Sequence, residues 1–270
     1  MKLAHYLDRI GFSQPLRPDL DTLTRLMRAH LATVPFENLD QQLGRAVTTD
    51  LAGIYDKIVG RRRGGWCFEV NTLFEWALAE TGFAVAPLAG HVGRSIGAPE
   101  ISNNHKCLRV DLDGGAFLVD VGYGGSQIDP MPLAPGKAEQ TPYHLSIAET
   151  GDGFLRFADA SHDSASSFDF TPEPVAPDHF DASSLRLQSD PASPFRLNLT
   201  AQRRLADRHL VLRGKILRTV RANGVEERHL ASAGDLVTCL KDTFDLDVAE
   251  AASLWPRVEA RHAEIFNTAD

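Results

Sequence analysis

The spacing of apolar residues along the chain changes twice, which divides it into three stretches. Residues 1–85 carry apolar side chains at three- and four-residue intervals, as in LDTLTRLMRAHLATV and DLAGIYDKIVGRR, and this spacing predicts amphipathic helices. Residues 86–195 hold short β-rich runs between glycine, proline, aspartate and serine, which predicts an antiparallel sheet or barrel. The remainder, residues 196–270, opens around strand-like runs such as FRLNLTA and ends with helical ones, which predicts a small α/β unit. The polar segment SHDSASSFDFTPEPVAPDHFD is expected to be an exposed loop.

Composition fits this division and narrows the classes of partner. Hydrophobic residues make up 43% and charged residues 24% of the 270 residues, which is ordinary globular usage and enough for two or three units with a sizeable core. The formal net charge of -8 argues against a nucleic acid or an anionic membrane as partner, because both attract basic surfaces. The opening MKLAHYLDRIGF mixes charged with apolar residues, so neither a signal peptide nor a membrane span is expected, and the cytoplasm is the expected location.

The three cysteines favour reduced thiols. Cys67, Cys107 and Cys239 are an odd number scattered along the chain, which is not typical of a disulfide framework. The sequence contains no CxxC or HExxH motif, and its two Asp-x-Asp pairs have no histidine or cysteine at ligand spacing. We therefore expect no bound metal.

Cys67 follows two glycines in the string RRRGGWCFEVNTLFEWALAE, and a new helical pattern begins at about Phe68. Because Gly64 and Gly65 end the preceding helical run, Cys67 is predicted at a helix N-terminus. The free N–H groups and the helix dipole at such a position favour a thiolate, which is the species that attacks a carbonyl carbon. A buried, inert cysteine is the competing interpretation.

A β-hairpin is predicted in NHKCLRVDLDGGAFLVDVGYGG. The Asp-Gly dipeptide at 113–114 is a strong two-residue turn signal, and it pairs Leu112 with Gly115. In that register His105 and Asp120 lie on one face as diagonal neighbours, within reach of each other's side chains. A three-residue loop would place them on opposite faces. The other face is predicted to join the core through Leu108, Val110, Leu112, Phe117, Val119 and Val121.

An aspartate beside a histidine can supply two parts of a nucleophilic triad. The carboxylate orients the imidazole, and the imidazole takes the proton of the nucleophile. A surface His-Asp pair without a catalytic role is the alternative. Cys107 lies on the same face as His105, but a cysteine in the middle of a strand is more often a small apolar filler, so Cys67 is the preferred nucleophile. Cys239, within LVTCLKDTF, is predicted to belong to the core.

Taken together, RGGWCFEVN and the hairpin string resemble the signature of arylamine N-acetyltransferases. The likeness continues through YLDRIGF, HLATVPFENLDQQLGR, SDPASPF and FRLNLTAQRRLADRHLVL in the same order, so it spans nearly the whole chain. The order Cys, His, Asp is also shared with transglutaminases and papain-like proteases. His105 follows Cys67 by only 38 residues, whereas papain-like proteases separate the two by about 130 to 150 residues.

The resemblance implies a multi-domain α+β fold with a cysteine-protease-like or transglutaminase-like core. A helical bundle (1–85) would bear the cysteine, a central antiparallel β-barrel (86–195) the histidine and aspartate, and an α/β lid (196–270) would complete the chain. Residue by residue, Cys67 matches the nucleophile, His105 the base and Asp120 the orienting residue.

The resemblance also implies contacts around this triad. Arg63 would pair with Glu37 to brace the nucleophile's turn, while Arg61 and Arg62 are interpreted as solvated. Phe36 and Tyr123 would line an aromatic pocket, although both could equally be core residues. Coenzyme A (CoA) would lie near a loop that could also be only a turn, formed by Gly124, Gly125 and Ser126. The sequence departs from the family pattern at Val70, Asn104 and Cys107.

The implied activity is acetyl transfer from acetyl-CoA to an arylamine, arylhydrazine or N-hydroxyarylamine by a ping-pong mechanism, in a monomer or homodimer. Two alternatives remain open. The same triad could form an amide on a polyketide-type acyl chain, or the chain could be a catalytically silent binding module with this fold.

Overall fold

The helical stretches predicted from apolar spacing are helices in the computed structural model, which describes residues 1–96, 103–162 and 164–266. Helix α2 begins where the Asp19 carboxylate accepts a hydrogen bond from the Thr22 N–H, and α8 begins where Ser232 caps Asp235 in the same way. The α-helices are α1 (Leu3–Ile10), α2 (Leu20–Thr33), α3 (Leu39–Gln42), α4 (Leu51–Tyr55), α5 (Cys67–Glu80), α6 (Asp181–Ser189), α7 (Pro194–Leu197), α8 (Ala233–Phe244) and α9 (Trp255–Phe266). A π-helical turn (Asp56–Gly60) extends α4, and 3-10 turns span Arg94–Ile96, Pro177–Phe180 and Ala249–Leu254.

The strands form two antiparallel sheets. An eight-stranded sheet in the order β5-β4-β3-β2-β9-β8-β7-β6 curls into a nearly closed barrel, and a five-stranded sheet has the order β1-β10-β11-β12-β13. The fold is α+β, as predicted. The strands are β1 (Phe36–Glu37), β2 (Ala84–Val92), β3 (His105–Leu112), β4 (Gly115–Val119), β5 (Met131–Pro132), β6 (Gly136–Gln140), β7 (Tyr143–Glu149), β8 (Leu155–Ala160), β9 (Ala165–Phe170), β10 (Thr200–Arg204), β11 (Arg208–Arg213), β12 (Ile216–Arg221) and β13 (Gly224–His229).

The serine-rich segment expected to be an exposed loop is in part a buried strand, so that expectation was wrong. Its residues Phe168 and Phe170 lie in β9 and join the barrel's apolar core. Asp169 between them is also buried and pairs with the guanidinium groups of Arg94 and Arg156. Serine and aspartate hid the alternation of apolar positions that marks a strand. Asp163 of this segment lies outside the described residues.

The run FRLNLTA does not form one strand as expected. Its first residues lie in the short helix α7, and β10 begins only at Thr200. Ser193 caps α7 by accepting a hydrogen bond from the Phe195 N–H, and Pro194 occupies the first helical position, where proline is favoured. This start signal prevailed over the apolar alternation that followed it.

The predicted units are linked through shared structure. Strand β1, from the helical stretch, pairs with β10 of the last stretch, with Phe36 opposite Gln202. The hairpin β3–β4 turns its apolar face into the core formed by α1, α2 and α5. The boundaries near residues 85 and 195 stay a prediction. Among the residues that the structure describes, no helix is both long and apolar enough to cross a membrane.

Candidate active site

Helix α5 begins at Cys67, as the glycine pair before it predicts. The chain passes very close to its own backbone at this point, because a Cβ on Gly64 would lie 2.0 Å from the Pro35 carbonyl oxygen. Only glycine fits there. The Cys67 side chain is buried, and its sulfur lies 4.0 Å from the Asn104 carbonyl oxygen. The nucleophile candidate therefore sits at the positive end of a 14-residue helix and away from bulk water.

The β3–β4 hairpin has the predicted register, with Leu112 opposite Gly115 and Leu108 opposite Val119. Strand β4 ends at Val119, so Asp120 follows the last paired residue. Its carboxylate still reaches the neighbouring strand, and His105 Nε2 lies 2.5 Å from Asp120 Oδ2. The prediction that these two side chains share a face is confirmed.

His105 also lies beside the thiol. The Cys67 sulfur approaches to 4.0 Å from the carbonyl oxygen of Asn104, the residue before His105, and the Cys67 side chain affects the pKa of the His105 ring. Burial alone would lower the pKa of His105, but the Asp120 carboxylate and the Cys67 side chain outweigh it and raise this pKa to about 10. A protonated imidazole beside a thiol favours the thiolate, so the structure brings the three predicted side chains together in an arrangement suited to nucleophilic chemistry.

Asp120 is held by further donors that the sequence analysis missed. Its Oδ1 accepts hydrogen bonds from the Gly122 N–H at 2.7 Å and from Asn71 Nδ2 at 2.9 Å. Asn71 lies four residues after Cys67, which places both on the same face of α5, and this spacing is the signal that could have identified it. Gly122 must be small, since a Cβ there would lie 2.7 Å from the Cys67 Cα atom.

A buried network of charged residues lies beneath the start of α5. Arg63 pairs with Glu37 at 2.8 Å, as the resemblance implied, and also with Asp40 at 3.3 Å. Lys57, which the sequence analysis did not single out, lies 2.8 Å from both Asp40 and Glu69. Glu69 in turn accepts a hydrogen bond from the Trp66 N–H next to the nucleophile. Burial raises the pKa of Glu69 to about 7, against the opposing effect of Lys57. The side chains of Arg61 and Arg62 are exposed, as interpreted.

The two predicted pocket residues pack against different apolar clusters, Phe36 against the one that contains Cys67 and Tyr123 against the core of the barrel. Phe36 is half-buried and packs on Phe195, with ring centroids 6.4 Å apart, and Phe195 packs on Trp66 at 5.1 Å. Tyr123 lies 5.3 Å from the His105 ring, also between centroids. Phe195 was missed as a wall of this region although SDPASPF contributed to the resemblance. Aromatic surface therefore flanks both the candidate nucleophile and the candidate base.

The predicted CoA loop is folded against the five-stranded sheet. Gly124 and Gly125 have φ angles of +75° and +91°, in the left-handed region. A Cβ on Gly124 would lie 2.6 Å from the Gln202 side chain, and one on Gly125 2.9 Å from the Arg204 Cβ atom. Ser126 is buried beside Asp159. Protein fills one side of this loop, so a phosphate would have to approach from the other, and a role in binding CoA stays a prediction.

The other two cysteines occupy the positions expected of core residues. Cys107 is buried in the barrel, with its sulfur 3.9 Å from the Leu88 carbonyl oxygen, and burial raises the pKa of its thiol. Cys239 lies within α8 in the apolar core of the C-terminal region. No cluster of side chains able to hold a metal ion is found across the described ranges 1–96, 103–162 and 164–266.

Comparison with known proteins assigns the chain to a family. A family model described as N-acetyltransferase matches residues 19–253. The chain is 36% identical to an arylamine N-acetyltransferase of Mycolicibacterium smegmatis, over 99% of both chains. The chain belongs to the arylamine N-acetyltransferase family.

Other relatives of this acyltransferase agree in sequence and in structure. An arylamine N-acetyltransferase of Escherichia coli is 32% identical over 92% of this chain and 90% of its own. The solved structure of the Mycobacterium marinum arylamine N-acetyltransferase in complex with CoA superposes with a TM-score of 0.87 at 33% identity, covering 98% of this chain and 99% of that one. The resemblance found in the sequence is thus confirmed over nearly the full chain.

Proposed function

We propose that this acyltransferase moves the acetyl group of acetyl-CoA to an arylamine, arylhydrazine or N-hydroxyarylamine through an acetyl-Cys67 intermediate. The observation that carries this proposal is geometric: the Cys67 sulfur lies 4.0 Å from the carbonyl oxygen of Asn104, the residue before His105, and the His105 ring contacts the Asp120 carboxylate. The donor is proposed from family membership and from the relative whose structure contains CoA. The three free cysteines fit a reducing compartment, and we propose a cytoplasmic location.

In the first half-reaction the Cys67 thiolate attacks the carbonyl carbon of acetyl-CoA. The new carbon–sulfur bond forms as the bond to the CoA sulfur breaks, and the departing CoA thiolate takes a proton from the His105 imidazolium. Asp120 holds this ring so that the proton faces the reacting sulfur atoms. The backbone N–H of Cys67, at the start of α5, is a candidate donor to the negative charge that develops on the carbonyl oxygen.

In the second half-reaction the amine nitrogen attacks the carbonyl carbon of acetyl-Cys67. Neutral His105 takes the amine proton, a carbon–nitrogen bond forms, and the Cys67 thiolate leaves. Phe36 and Tyr123 would bind the aromatic ring of the acceptor, and the Gly124–Ser126 loop would contact CoA. Because CoA leaves before the amine reacts, double-reciprocal plots should give parallel lines, and intersecting lines would contradict this scheme.

The mass of the intact protein after mixing with acetyl-CoA alone tests the proposal. We expect one acetyl group per chain, mapped to Cys67 by peptide analysis, and its loss with release of the acetylated product once an arylamine is added. The Cys107→Ser variant is the matched control and should take up acetyl as the parent does, whereas Cys67→Ser should not. An adduct on Cys107, or no adduct on the parent protein, would overturn the assignment.

A further inference from the structure

Asn71 connects helix α5 to strand β3 and to the segment that follows β4 through one side chain. Its Nδ2 donates to Asp120 Oδ1 at 2.9 Å and to the Lys106 carbonyl oxygen at 2.6 Å, and its Oδ1 accepts from the Val121 N–H at 3.0 Å. The residue is fully buried, one helical turn beyond Cys67 on α5. Both amide protons and one oxygen lone pair of Asn71 therefore form hydrogen bonds with β3, which carries His105, and with the segment after β4, which carries Asp120.

We propose that Asn71 is a positioning residue for the transfer reaction. It orients the Asp120 carboxylate toward His105 and fixes that carboxylate to the helix that bears Cys67. It acts through Asp120 and does not touch the substrate. This inference rests on the proposed function, in which His105 exchanges protons with the reacting sulfur and nitrogen atoms.

The two carboxylate oxygens of Asp120 bind different partners, which supports this role. Oδ1 of Asp120 accepts from Asn71 and from the Gly122 N–H, which leaves Oδ2 for His105 at 2.5 Å. Without the Asn71 amide, Oδ1 keeps only the hydrogen bond from the Gly122 N–H, so the carboxylate can rotate about the Cβ–Cγ bond of Asp120. A tilt lengthens the bond to His105 and frees the imidazole to turn from Cys67. A misplacement of about 1 Å costs about 100-fold in rate.

Lys106 provides a matched control because it forms a second connection between β3 and α5. Its Nζ donates to Thr72 Oγ1 at 2.8 Å and lies 2.7 Å from Glu75 Oε2, both of which belong to α5. Like Asn71, its side chain is buried. Lys106→Met therefore removes an attachment of the helix to the strand while leaving the Asn71–Asp120 bond in place.

The experiment compares Asn71→Ala and Lys106→Met by rapid-quench acetylation of Cys67 with acetyl-CoA and by proton NMR of the His105–Asp120 hydrogen bond. In Asn71→Ala we expect the maximal acetylation rate to fall by about 100-fold, with half-saturation by acetyl-CoA changed by less than about threefold. The far-downfield imidazole proton of His105 should broaden or disappear. Lys106→Met should keep that signal and an acetylation rate within about threefold of the parent.

Asn71→Asp keeps the shape of the side chain and guards against a variant that fails to fold. Its introduced carboxyl can donate to Asp120 only when protonated, so its rate deficit should be smaller at about pH 6 than at about pH 8. Equal losses in Asn71→Ala and Lys106→Met, with the imidazole proton retained in both, would overturn the inference. Absence of acetyl-Cys67 in the parent protein would instead reject the proposed function, while the NMR comparison would still report on Asn71.

Discussion

The His105 ring is held between a carboxylate and a thiol, and this sets how the site responds to pH. An ordinary histidine has a pKa of about 6.5, whereas Asp120 and Cys67 raise the pKa of His105 to about 10 against the effect of burial. The folded protein therefore binds this proton more tightly than the unfolded chain. Its contribution to stability is complete below about pH 6.5 and is lost as the pH rises toward about 10. Across neutral pH the ring stays positive, and a positive charge beside a thiol favours the thiolate as nucleophile.

Alkylation of Cys67 by iodoacetamide should therefore depend little on pH between about 7 and 9. In His105→Gln the imidazolium is absent, so the rate at about pH 7 should fall at least tenfold and then rise by about tenfold per pH unit, as for an ordinary thiol below its pKa. The measurement is the second-order rate constant across this range, with peptide mapping to separate Cys67 from Cys107. A steep tenfold rise per unit in the parent protein would contradict the imidazolium interpretation.

Gly122 tests how closely the strand end and the nucleophile must approach. A methyl group at this position would lie 2.7 Å from the Cys67 Cα atom and 2.6 Å from Asn71 Nδ2. We expect Gly122→Ala to lose about 1–3 kcal/mol of stability through overpacking and about 100-fold in acetylation rate through misplacement. Gly114→Ala, in the turn of the β3–β4 hairpin, is the control, since a Cβ there meets no atom within 4 Å. Urea unfolding and acetylation rates measure both, and an unimpaired Gly122→Ala variant would contradict the close contact.

The sequence was sufficient to predict that the three candidate residues come together, because each has a local signal. Two glycines mark the start of α5 at Cys67, and an Asp-Gly turn fixes the register that brings His105 to Asp120. Asn71 and Lys57 act instead through contacts between elements, with Asn71 binding a residue 49 positions later in the chain. A single sequence contains no local pattern for such pairs, so their roles required coordinates.

At the scale of elements, buried ion pairs connect the start of α5 to neighbouring elements. Lys57, in the π-helical turn, pairs with Asp40 in α3 and with Glu69 in the first turn of α5. Burial raises the pKa of Glu69 to about 7. Without Lys57, the Glu69 side chain must either be protonated or remain as a buried, unpaired carboxylate. The network therefore connects the π-helical turn and α3 to the helix that begins at the candidate nucleophile.

Lys57→Met should destabilise the protein by about 3–5 kcal/mol at about pH 8, because it leaves the buried Glu69 carboxylate without its cation while Asp40 keeps Arg63. An acid whose folded pKa exceeds its unfolded value stabilises fully at low pH and destabilises as the pH rises, so the deficit should shrink at about pH 5. Urea unfolding at both pH values measures it. Arg62→Met, which removes an exposed pair with Asp245, should cost no more than about 1 kcal/mol at either pH. A Lys57→Met deficit that does not change with pH would show that lost packing, not charge, accounts for it.

Apolar spacing located the long elements and failed at two short ones. Helices α2, α5 and α8 lie where the apolar spacing predicts them. Strand β9 was not predicted, because it contains serine residues and Asp169, whose ion-pair partners Arg94 and Arg156 lie elsewhere in the chain. In α7, a capping serine and a proline overrode a strand-like run. Local start signals and distant ion pairs thus decided the elements where spacing alone was ambiguous.

At the scale of the whole molecule, the three stretches of sequence share cores. Strand β1 completes the sheet that contains β10, and the apolar face of the β3–β4 hairpin lies in the helical core. The exposed side chain of Arg28 forms an ion pair with the half-buried Asp129, which adds a contact between α2 and the loop before β5. Disrupting one stretch would therefore expose apolar surface of its neighbours, which favours cooperative unfolding.

Two tryptophans report on different cores and allow this cooperativity to be tested. Trp76 packs against the helical core that includes the β3–β4 face, and Trp255 lies in the core between α8, α9 and the five-stranded sheet. The test uses two variants, one that keeps only Trp76 and one that keeps only Trp255, with the other tryptophans replaced by phenylalanine. For each variant, the urea midpoint measured by tryptophan fluorescence should equal the midpoint measured by far-UV circular dichroism. Each variant is thus its own control for the stability that the replacements remove. A Trp255 transition that precedes loss of the remaining secondary structure would show that residues 196–270 unfold as a separate domain.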